Sequence, residues 1–216
     1  IACGYYHSLA LKADGSIAAW GYVYSPWALP PPSVGVFTAI ASGYYHSLAL
    51  KDDGSIVAWG RDIENAPITP PSGVGYTAIA GGGYHSIALT NDGSIVSWGN
   101  DDYGQVTNTP TGTGYTAIAG GTYHSLALAS DGSLVAWGIT NEHDQNHGQV
   151  TDVPIGNDYT AIACGYYHSL ALKADGSIVG WGKDLYGMAS PPNTTGNTAI
   201  AAAGYHSLAL AADESI

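Results

Sequence analysis

The sequence predicts an all-β fold, a β-propeller of four-stranded antiparallel blades, with five nearly complete blades and a half blade in 216 residues and a parent of six or seven blades. Three observations carry this. A His-Ser-Leu/Ile-Ala-Leu core starts at His7, His46, His85, His124, His168 and His206, with successive gaps of 39, 39, 39, 44 and 38 residues. An Asp-Gly pair follows the core in five copies, at Asp14, Asp53, Asp92, Asp131 and Asp175. A Trp-Gly pair closes the same five copies, at Trp20, Trp59, Trp98, Trp137 and Trp181. No segment has helical period or length.

The second copy shows the elements in order. Thr38-Ala39-Ile40-Ala41 is short and apolar and ends before Gly43, as a strand A. His46 to Lys51 is strand B, and Asp52-Asp53-Gly54-Ser55 is a tight turn, since Asp-Gly between apolar runs is a strong hairpin signal. Ile56-Val57-Ala58-Trp59 is strand C, closed by Gly60. A polar loop leads to a weak strand D near residues 66–69, then Pro70-Pro71. Strands A to C are apolar almost throughout, as expected of sheets covered on both faces by neighbouring blades. Ile40, Leu48, Leu50, Ile56 and Trp59 would each contribute roughly 1.5–3 kcal/mol by burial.

The repeats form one continuous domain, residues 1–216, divided at about 1–36, 37–75, 76–114, 115–158, 159–196 and 197–216. The sixth copy stops at Ile216 before a Trp-Gly strand. Either the parent protein is longer or an open blade edge remains, and an unpaired edge is a template for another chain.

Seventeen Asp and Glu face five cations, Lys12, Lys51, Arg61, Lys173 and Lys183, for a formal charge of −12. Nucleic-acid binding needs clustered Lys and Arg to neutralise phosphates, so it is excluded as a partner class, and anionic membrane surfaces on the same ground. No apolar run reaches bilayer length, so no membrane insertion is expected. Cys3 and Cys164 share one repeat column with Ser42, Gly81, Gly120 and Ala202, a column that wants a small residue. Blades that are not neighbours hold such a column too far apart for a disulfide.

No nucleophile–base set, phosphate loop or dinucleotide fingerprint is present, so the expectation is a protein that is not an enzyme and takes no cofactor. Six copies of one histidine are scaffold, each expected to bond the backbone of its own blade, because chemistry needs one constellation. The longer fourth loop holds Glu142, His143, Asp144 and His147, whose spacing suits a metal best on a helix; a Gly-flanked loop offers none, and no metal is assigned.

The repeated Gly-x-x-His-Ser-Leu-Ala-Leu, Asp-Gly and Trp-Gly elements resemble the regulator of chromosome condensation repeat family over essentially the whole chain. In style, residues 104–128 are similar to the secreted bacterial branch that includes the β-lactamase inhibitory protein. Intact family members usually have seven blades, and their functions range from nucleotide exchange to light sensing and inhibition. The light-sensing role needs Gly-Trp-Arg-His motifs where this chain has Gly-Tyr-Tyr-His or Gly-Gly-Tyr-His, and exchange on chromatin suits an acidic chain badly. The resemblance therefore implies an extracellular or cell-surface binding scaffold.

A tyrosine precedes every repeat histidine: Tyr6, Tyr45, Tyr84, Tyr123, Tyr167 and Tyr205. Radial blades would gather these into a ring at one mouth of the channel. Tyr5, Tyr44 and Tyr166 form a partial second column, matched by Gly83, Thr122 and Gly204. The resemblance implies that aromatics of this column meet a partner, and tyrosine offers a rigid apolar face with one hydroxyl; a repeated tyrosine also serves packing between blades. The variable loops after Trp-Gly should open on the same face and extend it with Asp62, Asp101, Asp102, Tyr103, Asp184, Tyr186 and Trp27. The function expected is non-enzymatic binding of another protein through this face. The alternatives are a filament, sheath or adhesin subunit whose copies pair through open blade edges, and a carbohydrate-binding module.

Overall fold

Each repeat folds into its own small antiparallel sheet, and the sheets stand side by side in chain order. The computed structural model describes residues 1–21, 30–62, 68–141, 144–213 and 215. The first sheet pairs β1 (Ala2–Cys3), β2 (His7–Leu11) and β3 (Ile17–Gly21); the second pairs β4 (Phe37–Ser42), β5 (His46–Lys51) and β6 (Ile56–Gly60). The third has β7 (Tyr76–Gly81), β8 (His85–Thr90) and β9 (Ile95–Gly99), and the fourth β10 (Tyr115–Gly120), β11 (His124–Ala129) and β12 (Leu134–Gly138). The fifth has β13 (Tyr159–Cys164), β14 (His168–Lys173) and β15 (Ile178–Gly182), and the last only β16 (Asn197–Ala202) and β17 (Ser207–Ala211). Among the described residues no helix is long and apolar enough to cross a membrane.

The register is the same in every blade. In the second, Ser42 pairs with Ser47 and Ser47 with Trp59, so the small column, the serine and the tryptophan lie in one row. The hairpin turn forms as Asp-Gly dictates: Gly54 sits at φ +77°, Gly54 N donates to Lys51 O, and the Asp53 carboxylate accepts from Ser55 N.

Strand B runs over the expected His46–Lys51, strand A extends by a residue at each end and strand C by one, while residues 66 and 67 of the strand D expected near 66–69 lie outside the described residues. Among the described residues no fourth strand joins any sheet. In the third repeat the segment is instead a string of turns in which Asp101 accepts from Val106 N and Thr107 N. Asp184 accepts from Ala189 N in the fifth. Polar and Gly-rich sequence favours side-chain-capped turns over a ladder. These segments reach across to the next blade: Trp137 Nε1 donates to Gln105 O at 2.9 Å and Trp181 Nε1 to Gln149 O at 3.0 Å.

The core lies between blades. Ile87, Leu89 and Ile95 of the third blade pack on Ala127 and Trp137 of the fourth, and Leu126 and Leu128 of the fourth on Ala171 and Trp181 of the fifth. Strand B is buried on both faces, from His46 through Leu50 in the second blade, which is why it does not alternate. Of the five core side chains expected there, Leu48, Leu50 and Ile56 are buried, while Ile40 and Trp59 are partly buried against the first blade's Leu9 and Ile17 and the second blade's own Phe37.

The histidines depart from expectation. Five of the six reach across to the next blade: Nε2 of His7, His46, His85, His124 and His168 lies 2.7–2.8 Å from the hydroxyl of Ser47, Ser86, Ser125, Ser169 and Ser207 respectively. They are scaffold, but they latch neighbouring blades instead of bonding their own backbone. A glycine makes room for each ring: a Cβ on Gly43 would collide with His46 Cε1.

Candidate functional site

The A–B turns place the tyrosines. Gly4 N donates to His7 O, and Gly43, Gly82, Gly121 and Gly165 make the same closure to their histidines. The two residues between are thus held at the end of the hairpin. Backbone bonds then tie the turns of successive blades around the axis: Tyr5 N to Tyr44 O, Tyr44 N to Gly83 O, Gly83 N to Gly121 O, Thr122 N to Tyr166 O, and Tyr166 N to Gly204 O.

The result is a regular rosette. Ring centroids of Tyr6, Tyr45, Tyr84, Tyr123, Tyr167 and Tyr205 follow one another at 6.1, 6.1, 6.3, 6.2 and 6.3 Å. Tyr5, Tyr44 and Tyr166 turn inward and meet on the axis, with centroids 5.3 Å apart for Tyr5 and Tyr44, 4.8 Å for Tyr44 and Tyr166 and 6.0 Å for Tyr5 and Tyr166. The Tyr44 hydroxyl bonds Thr122 Oγ1 across the same mouth. Beneath this plug lies an axial cavity of roughly 440 Å³, walled by the small column that holds Cys3, Ser42, Gly81, Gly120, Cys164 and Ala202. Both cysteines are free thiols, and burial pushes Cys164 up to about 12, so it does not ionise at ordinary pH.

Burial also pushes the phenols of Tyr84, Tyr166 and Tyr167 up to about 12, and those of Tyr44, Tyr45 and Tyr123 upward. The rosette is therefore a neutral aromatic surface. Its end members are the most open, with Tyr6 50% and Tyr205 51% exposed.

The loops after Trp-Gly do open on this face, because the rosette residues pin them. The carbonyls of Tyr45, Tyr84, Tyr123 and Tyr167 accept from the backbone N–H of Arg61, Asn100, Ile139 and Lys183. Tyr103 folds onto Tyr123, centroids 4.9 Å apart. His147 takes the same place one blade on, 5.9 Å from Tyr167, and Lys183 Nζ stands 5.1 Å above the Tyr167 ring. Aligning Tyr103-Gly104-Gln105-Val106-Thr107 with His147-Gly148-Gln149-Val150-Thr151 reveals the His147 position in sequence; the lysine, reached through the third dimension, leaves no such signal.

Other candidates divide. Tyr186, by column the equivalent of Tyr103, stays off the rosette: it is 87% exposed and has φ +66°. Asp102 accepts from Asn100 Nδ2 at 2.8 Å and is exposed at the rim. Asp101 and Asp184 serve as turn caps, and hydrogen bonds to their carboxylates hold both below the usual range. Trp27, Glu142 and His143 lie outside the described residues. Among the described residues no cluster of His, Cys, Asp or Glu could hold a metal.

Comparison with known proteins follows the same repeats. A search of curated protein sequences returned no match. Among solved structures, the ectodomain of the Physcomitrella patens receptor kinase CR4 is 22% identical over 99% of this chain and 58% of that one, with a TM-score of 0.77. The ectodomain of the Arabidopsis thaliana receptor kinase ACR4 is 26% identical over 89% of this chain and 65% of that one, with a TM-score of 0.69. Yeast RCC1 (Prp20), in a complex with Kap60, is 22% identical over 98% and 67%, with a TM-score of 0.76. The chain thus spans about three-fifths to two-thirds of the length of these structures. The model of the regulator of chromosome condensation (RCC1) repeat matches residues 1–22, 37–64, 76–105, 115–149 and 159–187, one match on each of the first five blades. The chain belongs to the regulator of chromosome condensation repeat family.

Proposed function

We propose that this chain is a non-enzymatic scaffold that binds another protein on its tyrosine rosette. The observation that carries the proposal is the rosette itself. Six identical side chains stand at near-constant spacing on rigid turns, with variable loops pinned around them. Tyrosine loses little side-chain entropy on binding and buries a large area, which makes it a strong interface residue. Yeast Prp20, of the same fold, has been studied bound to Kap60 and for binding to Gsp1p and histones, which supports a partner-binding role for the architecture. We further propose an extracellular or cell-surface location, on the style of the repeats; protease accessibility on intact source cells tests it, and full protection would exclude it.

The binding test places a photo-crosslinking residue at position 84 or 123, on the rosette, or at position 131, on the opposite end. The expected result is one discrete adduct from the first two and none from the third, with the adduct from position 84 lost when Tyr45→Ala and Tyr123→Ala are added. Equal adducts from both ends would refute the proposal.

A further inference from the structure

We propose that the rosette selects a basic protein segment, with arginine or lysine side chains laid on the tyrosine rings. This rests on the rosette being the binding face and adds the chemistry of its partner. An aromatic ring carries negative potential on its face and attracts a cation held within about 6 Å of the centroid. On the rosette Lys183 Nζ sits 5.1 Å above Tyr167, so a cation is accommodated on a ring of the series. The rings of the series follow one another at 6.1–6.3 Å intervals, with Tyr103 packed on Tyr123.

The rim favours the same partner. The described loop residues at this end include Asp62, Asp101, Asp102, Asp144 and Asp184, against Arg61 and Lys183. Burial lowers His46, His85 and His168 beneath the rosette, and the nearby charges of Asp62, Asp101 and Asp184 act against that lowering. The bonds that make Asp101 and Asp184 turn caps also keep them ionised, so their charge is not lost to their structural role. A neutral aromatic platform with a negative rim repels acidic partners and draws basic ones.

The test uses three labelled nonapeptides, of arginine, of glutamate and of alternating glycine and serine, titrated into the 216-residue chain and followed by anisotropy. The arginine peptide is expected to bind, more weakly as salt rises, and the others not. Changing Tyr45, Tyr84 and Tyr123 together to Phe keeps the ring faces and should hold affinity within about twofold. Changing all three to Leu should weaken it at least about tenfold. Thermal melts of both triple variants confirm that they fold. Equal binding of the arginine and glutamate peptides, no binding of the arginine peptide, or equal affinity of the Leu and Phe variants would each overturn the proposal. A crosslinked rosette partner whose contact surface lacks basic side chains would overturn it too, while leaving the scaffold role intact.

Discussion

His46 Nε2 lies 2.8 Å from the hydroxyl of Ser86, a residue forty positions on and one blade away. Both residues are almost fully buried, so the bond closes a polar pair inside an otherwise apolar joint. Ser86→Ala removes one partner and leaves the imidazole nitrogen unmatched, a loss of about 1–3 kcal/mol. Urea unfolding should show it as a lower midpoint with unchanged slope. Ser8 faces Cys3 Sγ at 3.8 Å and no histidine, so Ser8→Ala should stay within about 0.5 kcal/mol of the parent.

The same burial sets a pH dependence. Burial lowers His46 to about 4 and His85 and His124 to about 3, below the ordinary 6.5. Between those values the unfolded chain binds protons that the folded chain refuses. Stability is therefore complete above about pH 6.5 and falls as pH drops toward 4, by about 1.4 kcal/mol per pH unit for each histidine. Denaturant titrations at pH 7 and pH 5 should show the loss, and His85→Gln should flatten the slope by about one proton. The turn aspartates Asp14, Asp53, Asp131 and Asp175 are held low by their Ser partners, so they add to the acid loss only below about pH 4.

His168 has a defined tautomer. Ser207 Oγ donates its only proton to Met188 O at 2.8 Å, so it accepts from His168, whose Nε2 must carry the hydrogen. Nitrogen-15 shifts of His168 should report a protonated Nε2 and a bare Nδ1 at pH 7. The opposite assignment would mean that Ser207 does not bond Met188.

Gly43 is fixed by its neighbours. A Cβ there would collide with His46 Cε1 and stand 2.5 Å from the Gly82 carbonyl oxygen, and neither the packed ring nor the backbone can yield cheaply. Gly43→Ala should cost about 1–3 kcal/mol or more and lower the thermal midpoint. Gly73→Ala meets no atom within 4 Å and is strained only by its φ of +117°, so it should cost less.

Trp137→Phe tests the contact that replaced the fourth strand. Trp137 Nε1 donates to the Gln105 carbonyl at 2.9 Å in a buried joint. Phenylalanine fills most of the volume but leaves that carbonyl without its donor, so a loss of about 1–3 kcal/mol is expected in urea unfolding. Removal of the exposed Trp20 indole from the first blade should cost less.

The local elements were legible because each repeat states its own conformation. Apolar runs, Asp-Gly turns and Trp-Gly ends give strands A to C their order, and Gly54 at φ +77° is the turn that Asp53-Gly54 predicts. The tyrosine column is likewise visible in sequence, since a fixed place in a fixed turn becomes a ring once blades are radial. Strand D was not legible: residues such as Asp101 and Gln105 spend their polar groups on turns and on the neighbouring blade, and nothing local announces that choice.

What the sequence determined by itself is the repeat, its strands and turns, and the placing of six tyrosines in equivalent positions; these depend on neighbours a few residues apart. Only the tertiary structure decided that His46 bonds Ser86, that Lys183 covers Tyr167 and that Tyr186 stays off the rosette. Those outcomes depend on distances between blades or on how one loop settles against the next. A hydrogen bond or a ring contact is made over a few ångströms of space, whatever the separation along the chain.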